Sequence, residues 1–186
     1  TKNAVKESLK NAREIDMNLV DAQQAKQLKM ELFLAIGQSS DSPCSVVVLR
    51  YMGNPDDKEV TALVGKGVTM DTGGYSLKSG KGMAAMKSDM GGAASVAAAV
   101  CALARNQAKT NVVAVIPIVE NRLSNSACTP GDVLTAMNGK TVEILSTDAE
   151  GRLILADALT YAVREEKADR VIDVATLTGA IVQAYG

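Results

Sequence analysis

Five short runs of β-branched and aliphatic residues punctuate this chain: 45–51 (SVVVLRY), 60–64 (VTALV), 112–119 (VVAVIPIV), 142–145 (VEIL) and 171–174 (VIDV). Such runs bounded by turn residues read as strands. The stretches between several of them have helical composition, at 93–104, at about 153–166 and from about 177 onward. Strands alternating with helices predict an α/β fold with a mostly parallel central sheet and helices on both faces. Ahead of these lie an expected surface helix at 1–13, an extended piece at 15–19 and a helix at 21–36. The runs at 45–51 and 60–64 flank turn-rich residues 53–57 and are expected to form adjacent strands. The Ala/Val-rich segment 93–104 predicts a helix buried on most of its surface. Ligands of open α/β sheets bind beyond the carboxyl ends of the strands, and two polar clusters are expected there: 65–89 after one strand and 146–152 after another.

Residues 65–92 hold eight of the chain's fifteen glycines and show no sustained period, which marks either a functional loop region or a disordered one. With 186 residues, 47% of them hydrophobic, the chain has material for one core and one domain. The formal net charge of -1 supplies no broad field for nucleic acid or an anionic membrane surface. No run of 18 apolar residues and no secretory pattern at Thr1 is present, so a cytoplasmic protein is expected. Three widely spaced cysteines, Cys44, Cys101 and Cys128, form no Cys-x-x-Cys pair and read as reduced structural residues. Histidine is absent, which removes Ser-His-Asp and Cys-His catalysis and every His-ligated metal site. Chemistry here must run on carboxylates, amines, hydroxyls or a bound ion.

Taken singly, the polar residues of the two clusters have ordinary explanations. Asp89 precedes a helix and could be its N-cap. Lys66 and Lys78 could be solvated loop residues, and Asp148 and Glu150 could be acids favoured at a helix start. A phosphate loop is excluded by spacing: G-x-x-x-x-G-K-[ST] is absent, and Gly80-Lys81-Gly82 follows no strand directly.

Together these residues form a pattern. The stretch 65–74 (GKGVTMDTGG), then Lys78, then 86–94 (MKSDMGGAA) and 147–153 (TDAEGRL) resembles the leucine aminopeptidase family of the cytosolic, two-metal type. Residues 129–134 (TPGDVL) and 175–180 (ATLTGA) extend the likeness, which covers about two thirds of the chain closely. The resemblance implies a hydrolase, a metal-dependent aminopeptidase that cleaves leucine-like N-terminal residues from peptides through a water activated by two metal ions. It implies five metal ligands, Lys66, Asp71, Asp89, Asp148 and Glu150, with Asp71 and Glu150 bridging the ions. Lys78 and Arg152 would be the catalytic pair, Arg152 holding a bicarbonate ion as proton relay. Ser146 stands where many members carry Asn, outside the ligand set.

Four carboxylates would balance the charge of two dications. Lys66 would ligate as a neutral amine, its pKa lowered from the ordinary ~10.4. Zn²⁺ and Mn²⁺ suit such donors, as do Co²⁺ or Mg²⁺. A homohexamer and a zinc-exopeptidase-like domain are likewise implied. Against the family's architecture, residues 1–186 are expected to be a single partial domain, without the N-terminal domain and incomplete at the C-terminus, so apolar faces of the 93–104 helix and the 171–174 strand are expected to lack cover and to promote self-association. The reading from a different class is a non-catalytic member or fragment acting as an interaction or DNA-binding subunit. The intact ligand set and near-zero net charge count against it.

Overall fold

The computed structural model describes residues 14–186; the helix expected at 1–13 lies outside the described residues. In chain order the elements are β1 (Ile15–Asp21), α1 (Ala22–Gln27), α2 (Glu31–Gly37), β2 (Ser45–Met52), β3 (Thr61–Gly65), β4 (Gly67–Asp71), α3 (Gly80–Met83) running into a 3-10 segment (Ala84–Ser88), and α4 (Gly91–Arg105). There follow β5 (Asn111–Asn121), β6 (Val133–Thr135), β7 (Thr141–Glu143), a 3-10 turn (Thr147–Ala149), α5 (Glu150–Arg164), β8 (Arg170–Val174) and α6 (Ala180–Tyr185).

The main sheet runs β1-β2-β5-β3-β8, with β4 also on β5. β5 pairs antiparallel with β2 and parallel with β3 and β4, and β8 is parallel to β3, so the parallel part of a mixed sheet lies on one side of β5. Period-2 alternation sorts the side chains to two faces. Val46, Val48, Val113 and Val115 pack with Phe33 and Ile36 of α2 and Ile154 and Ala158 of α5, whereas Val47, Leu49, Ala114 and Ile116 pack with Val96 and Val100 of α4. Helices therefore cover both faces, as expected for the α/β class.

Several local expectations are corrected. The strands at 45–51 and 60–64 are not neighbours, because β5 lies between β2 and β3. The single helix expected at 21–36 is two: Asp21 caps α1 through Gln24 N and receives Gln24's side chain on its own N–H, and left-handed Lys29 (φ 58°) then turns the chain into α2. α4 is amphipathic rather than buried all round, since Ala93, Val96, Val100 and Ala104 are buried while Ala94, Ala98 and Ala102 are exposed. Alanine on the outer face disguised the stripe. Only the start of the 142–145 run lies in a strand, β7, which pairs with β6 in a separate two-stranded ribbon rather than in the main sheet.

Residues 65–71 hold a strand that the glycines concealed. β3 and β4 lie end to end along the same edge of β5, pairing with 112–115 and then from Ile118 to Asn121. Lys66 sits at the joint: its N–H donates to Val174 O and its carbonyl accepts from Ala93 N. The flanking glycines permit this close approach, because a Cβ on Gly65 would lie 2.8 Å from Gly92 O and one on Gly67 2.5 Å from Pro117 O.

α5 is bolted in place by Asp157, which is fully buried. Its Oδ2 accepts Phe33 N (3.0 Å) and its Oδ1 accepts Met137 N (2.8 Å), joining the start of α2 and the turn after β6 to one side chain. Burial raises the Asp157 carboxyl above the usual aspartate range, against the backbone donors that favour its charge. Asp157→Ala removes the acceptor from two buried N–H groups, and the expected loss is about 2–5 kcal/mol of unfolding free energy. Urea titration measures it, and an unchanged midpoint would contradict the role.

Candidate metal centre

The carboxyl ends of four parallel or adjoining strands meet at one point. Lys66 follows β3, Asp71 ends β4, Asn121 ends β5, and Thr176 follows β8. Opposite them the 3-10 turn 147–149 and the first residue of α5 bring Asp148 and Glu150, and the end of the 84–88 segment brings Asp89. The 146–152 cluster thus arrives from the β7 side and a helix start, not from a strand of the main sheet. Asp89 is not an N-cap: Met90 holds that position in α4, without a side-chain bond.

All seven residues singled out in the sequence, Lys66, Asp71, Lys78, Asp89, Asp148, Glu150 and Arg152, line one cleft of about 780 Å³. Lys66, Asp71, Asp89 and Glu150 are buried. Lys66 Nζ lies 2.8 Å from Asp89 Oδ2 and 2.9 Å from Glu150 Oε1, and it donates to Thr176 O at 3.1 Å. Lys78 Nζ lies 2.8 Å from Asp71 Oδ2 and 2.5 Å from Asp148 Oδ1. Arg152 is exposed in the first turn of α5 and makes no ion pair among the described residues.

Residues that the sequence did not single out hold these groups. Asn121 donates through Nδ2 to Asp71 Oδ1 (2.8 Å) and Thr147 O (2.9 Å). Thr147 belongs to the sequence motif, yet its side chain serves the backbone. Its Oγ1 donates to Gly73 O and accepts Ser76 N, clipping the loop that carries Lys78 to the turn that carries Asp148. Thr176 Oγ1 donates to Asp89 Oδ1 at 2.6 Å, whereas Asp89 Oδ2 receives no hydrogen bond and has only the ion pair with the Lys66 ammonium. The available signal for Asn121 was a polar residue closing a long apolar run, which marks a strand end at a ligand site without naming its partner.

Four carboxylates here face two ammonium groups, so the cluster is rich in negative charge. Burial works against the charge on Lys66, but the field of Glu150 and the close contacts with Asp89 and Glu150 outweigh it, and the ammonium is held above the ordinary lysine range. Burial likewise opposes the charge on Lys78, and Asp148 and Asp71 overcome it. Glu150 is pushed up by burial and by Asp71, with Lys66 offsetting part. The lysine shifts express the pull of an anion-rich pocket on positive charge, while that of Glu150 is owed first to burial. With carboxylates as its neighbours Lys66 holds its proton, whereas the neutral amine expected of a ligand would need bound dications to displace that proton.

The donor set fits divalent cations. Carboxylate oxygens of Asp71, Asp89 and Glu150 lie within 4.8 Å of one another, all three residues being buried. Asp148 lies outside this trio, joined to it through Lys78 and with a side chain 37% exposed. No helix among the described residues is long and apolar enough to cross a membrane, and the three cysteines are buried and unbridged.

Comparison with known proteins places these observations in a family. The family model described as "Cytosol aminopeptidase family, catalytic domain" matches residues 1–186. A probable cytosol aminopeptidase of Clostridium perfringens is 53% identical over 172 residues, 92% of this chain and 35% of that protein. One from Fusobacterium nucleatum is 50% identical over 171 residues, 92% of this chain and 36% of that protein. Among solved structures, Caenorhabditis elegans leucine aminopeptidase superposes with a TM-score of 0.92 at 40% identity, covering 98% of this chain and 38% of that one. The chain thus spans a little over a third of the length of the relatives it matches.

The ion pairs of Lys66 make a prediction that needs no ligand. In chelator-treated protein, Lys66→Met strands the Asp89 and Glu150 carboxylates in a buried site, and the expected loss is about 3–5 kcal/mol. The deficit should shrink on acidification. Glu150 is already pushed up by burial in the folded state, so without its ammonium partner it regains stability as it takes up a proton. Urea unfolding at two pH values reads both effects; equal stability of variant and parent at neutral pH would refute the ion-pair account.

Proposed function

We propose that this chain, which belongs to the cytosol aminopeptidase family, carries the metal-binding and catalytic groups of an aminopeptidase that removes leucine-like N-terminal residues from peptides. The observation that carries this reading is the buried trio Asp71, Asp89 and Glu150 in one cleft with Lys66, Lys78, Asp148 and Arg152. Lys66, Asp71, Asp89, Asp148 and Glu150 would hold two divalent ions, Zn²⁺ or Mn²⁺ in the first instance. When bound, such ions lower the pKa of water and polarise a carbonyl.

The chain's own groups do the rest. Lys78, kept charged by Asp71 and Asp148, donates to the oxygen on which negative charge develops as the peptide carbonyl is attacked. Arg152, exposed in the first turn of α5 and lining the cleft, would offer its guanidinium fork to bicarbonate as proton relay. Met86, Leu177 and Ile181 supply apolar lining in the same cleft, consistent with an aliphatic side chain at the cleavage position. The acidic pocket also favours the free amino terminus of a peptide over a blocked one. A cytoplasmic location agrees with the relatives' name, and a homohexamer belongs to the same reading.

Arg152 and the carboxylates should separate by experiment. In the full-length protein, Glu150→Ala or Asp148→Ala is expected to lose bound metal and leucine-amide hydrolysis together. Arg152→Ala is expected to retain near-normal metal content while turnover falls by about 10²–10⁴-fold, the usual worth of proton-transfer assistance. Metal analysis of the purified variants beside their kinetics decides it. An Arg152→Ala protein emptied of metal would reassign Arg152, and carboxylate variants with full activity would overturn the proposed site.

A further inference from the structure

Asn121 is 2% exposed at the end of β5, yet its amide faces the anion-rich cluster rather than the apolar core. Its Nδ2 lies 2.8 Å from Asp71 Oδ1, 2.9 Å from Thr147 O and 3.5 Å from Glu150 Oε2. Every one of these is an acceptor when the carboxylates are ionised, which assigns the amide: nitrogen, not oxygen, must point at them. The choice of side chain is chemically narrow. Lysine at this place would add a third cation, aspartate would set acceptor against acceptor, and serine would offer one donor where two are used.

We infer that Asn121 is a positioning residue for metal binding, fixing Asp71 against the 147–150 segment and so setting the separation of the Asp71 and Glu150 carboxylates. This rests on the two-metal reading above, in which those two carboxylates bridge the ions. Asp71 Oδ1 is committed to two donors, Asn121 Nδ2 and Gly73 N (2.9 Å), which leaves Oδ2, now on Lys78, as the oxygen aimed into the cleft. Glu150 is divided in the same way, with Oε1 toward Lys66 and Oε2 toward the amide. The second N–H, on Thr147 O, ties the arrangement to the backbone of the turn that delivers Asp148. One neutral group thereby orients carboxylates from β4 and α5 without adding charge that would compete with cations.

The test is titration of chelator-treated, full-length protein with Mn²⁺ alone, followed by calorimetry. Asn121→Ala should weaken Mn²⁺ binding by about 10–100-fold, the range typical for loss of a group that orients a metal ligand. Asn121→Asp is the sharper variant, because added negative charge should tighten cation binding if charge alone governs the site, whereas loss of the donor should weaken it if orientation governs. The Mn²⁺ concentration for half-maximal leucine-amide hydrolysis should rise with the dissociation constant, while kcat at saturating Mn²⁺ recovers to within a few-fold. Melting in chelator confirms folding; should the alanine protein not fold, Asn121→Ser, with one donor retained, should bind with intermediate affinity. Mn²⁺ affinity of Asn121→Ala or, in its place, Asn121→Ser within about twofold of the parent, or tighter binding by Asn121→Asp, overturns the inference. A parent protein that takes up no Mn²⁺ removes the two-metal reading and this inference with it.

Discussion

Burying three carboxylates, with a fourth at the surface beside them, within reach of two ammonium groups is costly, and the surrounding architecture serves to bear that cost. Like charges at such separations repel strongly once water is excluded. The fold answers with directed donors: Gly73 N and Asn121 on Asp71, Thr176 on Asp89, Lys66 between Asp89 and Glu150, and Lys78 between Asp71 and Asp148. Most of these donors sit at the end of a strand or at the joint between two strands. The sheet order matters for this reason, since β5 pairs with both β3 and β4 and so brings Lys66 at their joint, Asp71 at the end of β4 and its own Asn121 to one place.

The same charge imbalance connects structure to chemistry. A pocket whose carboxylates hold both lysines charged is one that would gain from cations. Because the lysines are held charged by the very carboxylates proposed as ligands, metal binding at Lys66 must be coupled to release of a proton. In the proposed reaction Lys78 has no such requirement, and its charge would serve the developing oxyanion. The two lysines, identical in chemistry and close in sequence, are thus separated in role by burial and by which carboxylates they touch.

Much of this was legible in the sequence and some was not. The motif residues could be assigned because a family pattern places them jointly, although each alone had an ordinary reading; Asp89 as an N-cap is the clearest case where the ordinary reading failed. The strand runs stood out because β2 and β5 are buried on both faces and carry unbroken apolar sequence. β4 escaped because glycine and threonine beside Lys66 serve close backbone approach rather than packing, and they erase periodicity. The outer alanines of α4 hid its stripe, and the left-handed turn at Lys29 divided a helix that has no proline or glycine at the break. Asn121 belongs to no motif, and its function exists only where β4, β5 and α5 meet.

The position of bound cations is the quantity on which the proposed chemistry depends most directly. Crystals of the full-length protein grown with Mn²⁺ and measured at a wavelength giving manganese anomalous signal would locate them. Two anomalous peaks are predicted per chain in the cleft lined by Asp71, Asp89, Asp148 and Glu150, with Lys66 Nζ released from its carboxylate partners. No peak in the cleft, with Lys66 still paired to Asp89 and Glu150, would contradict it.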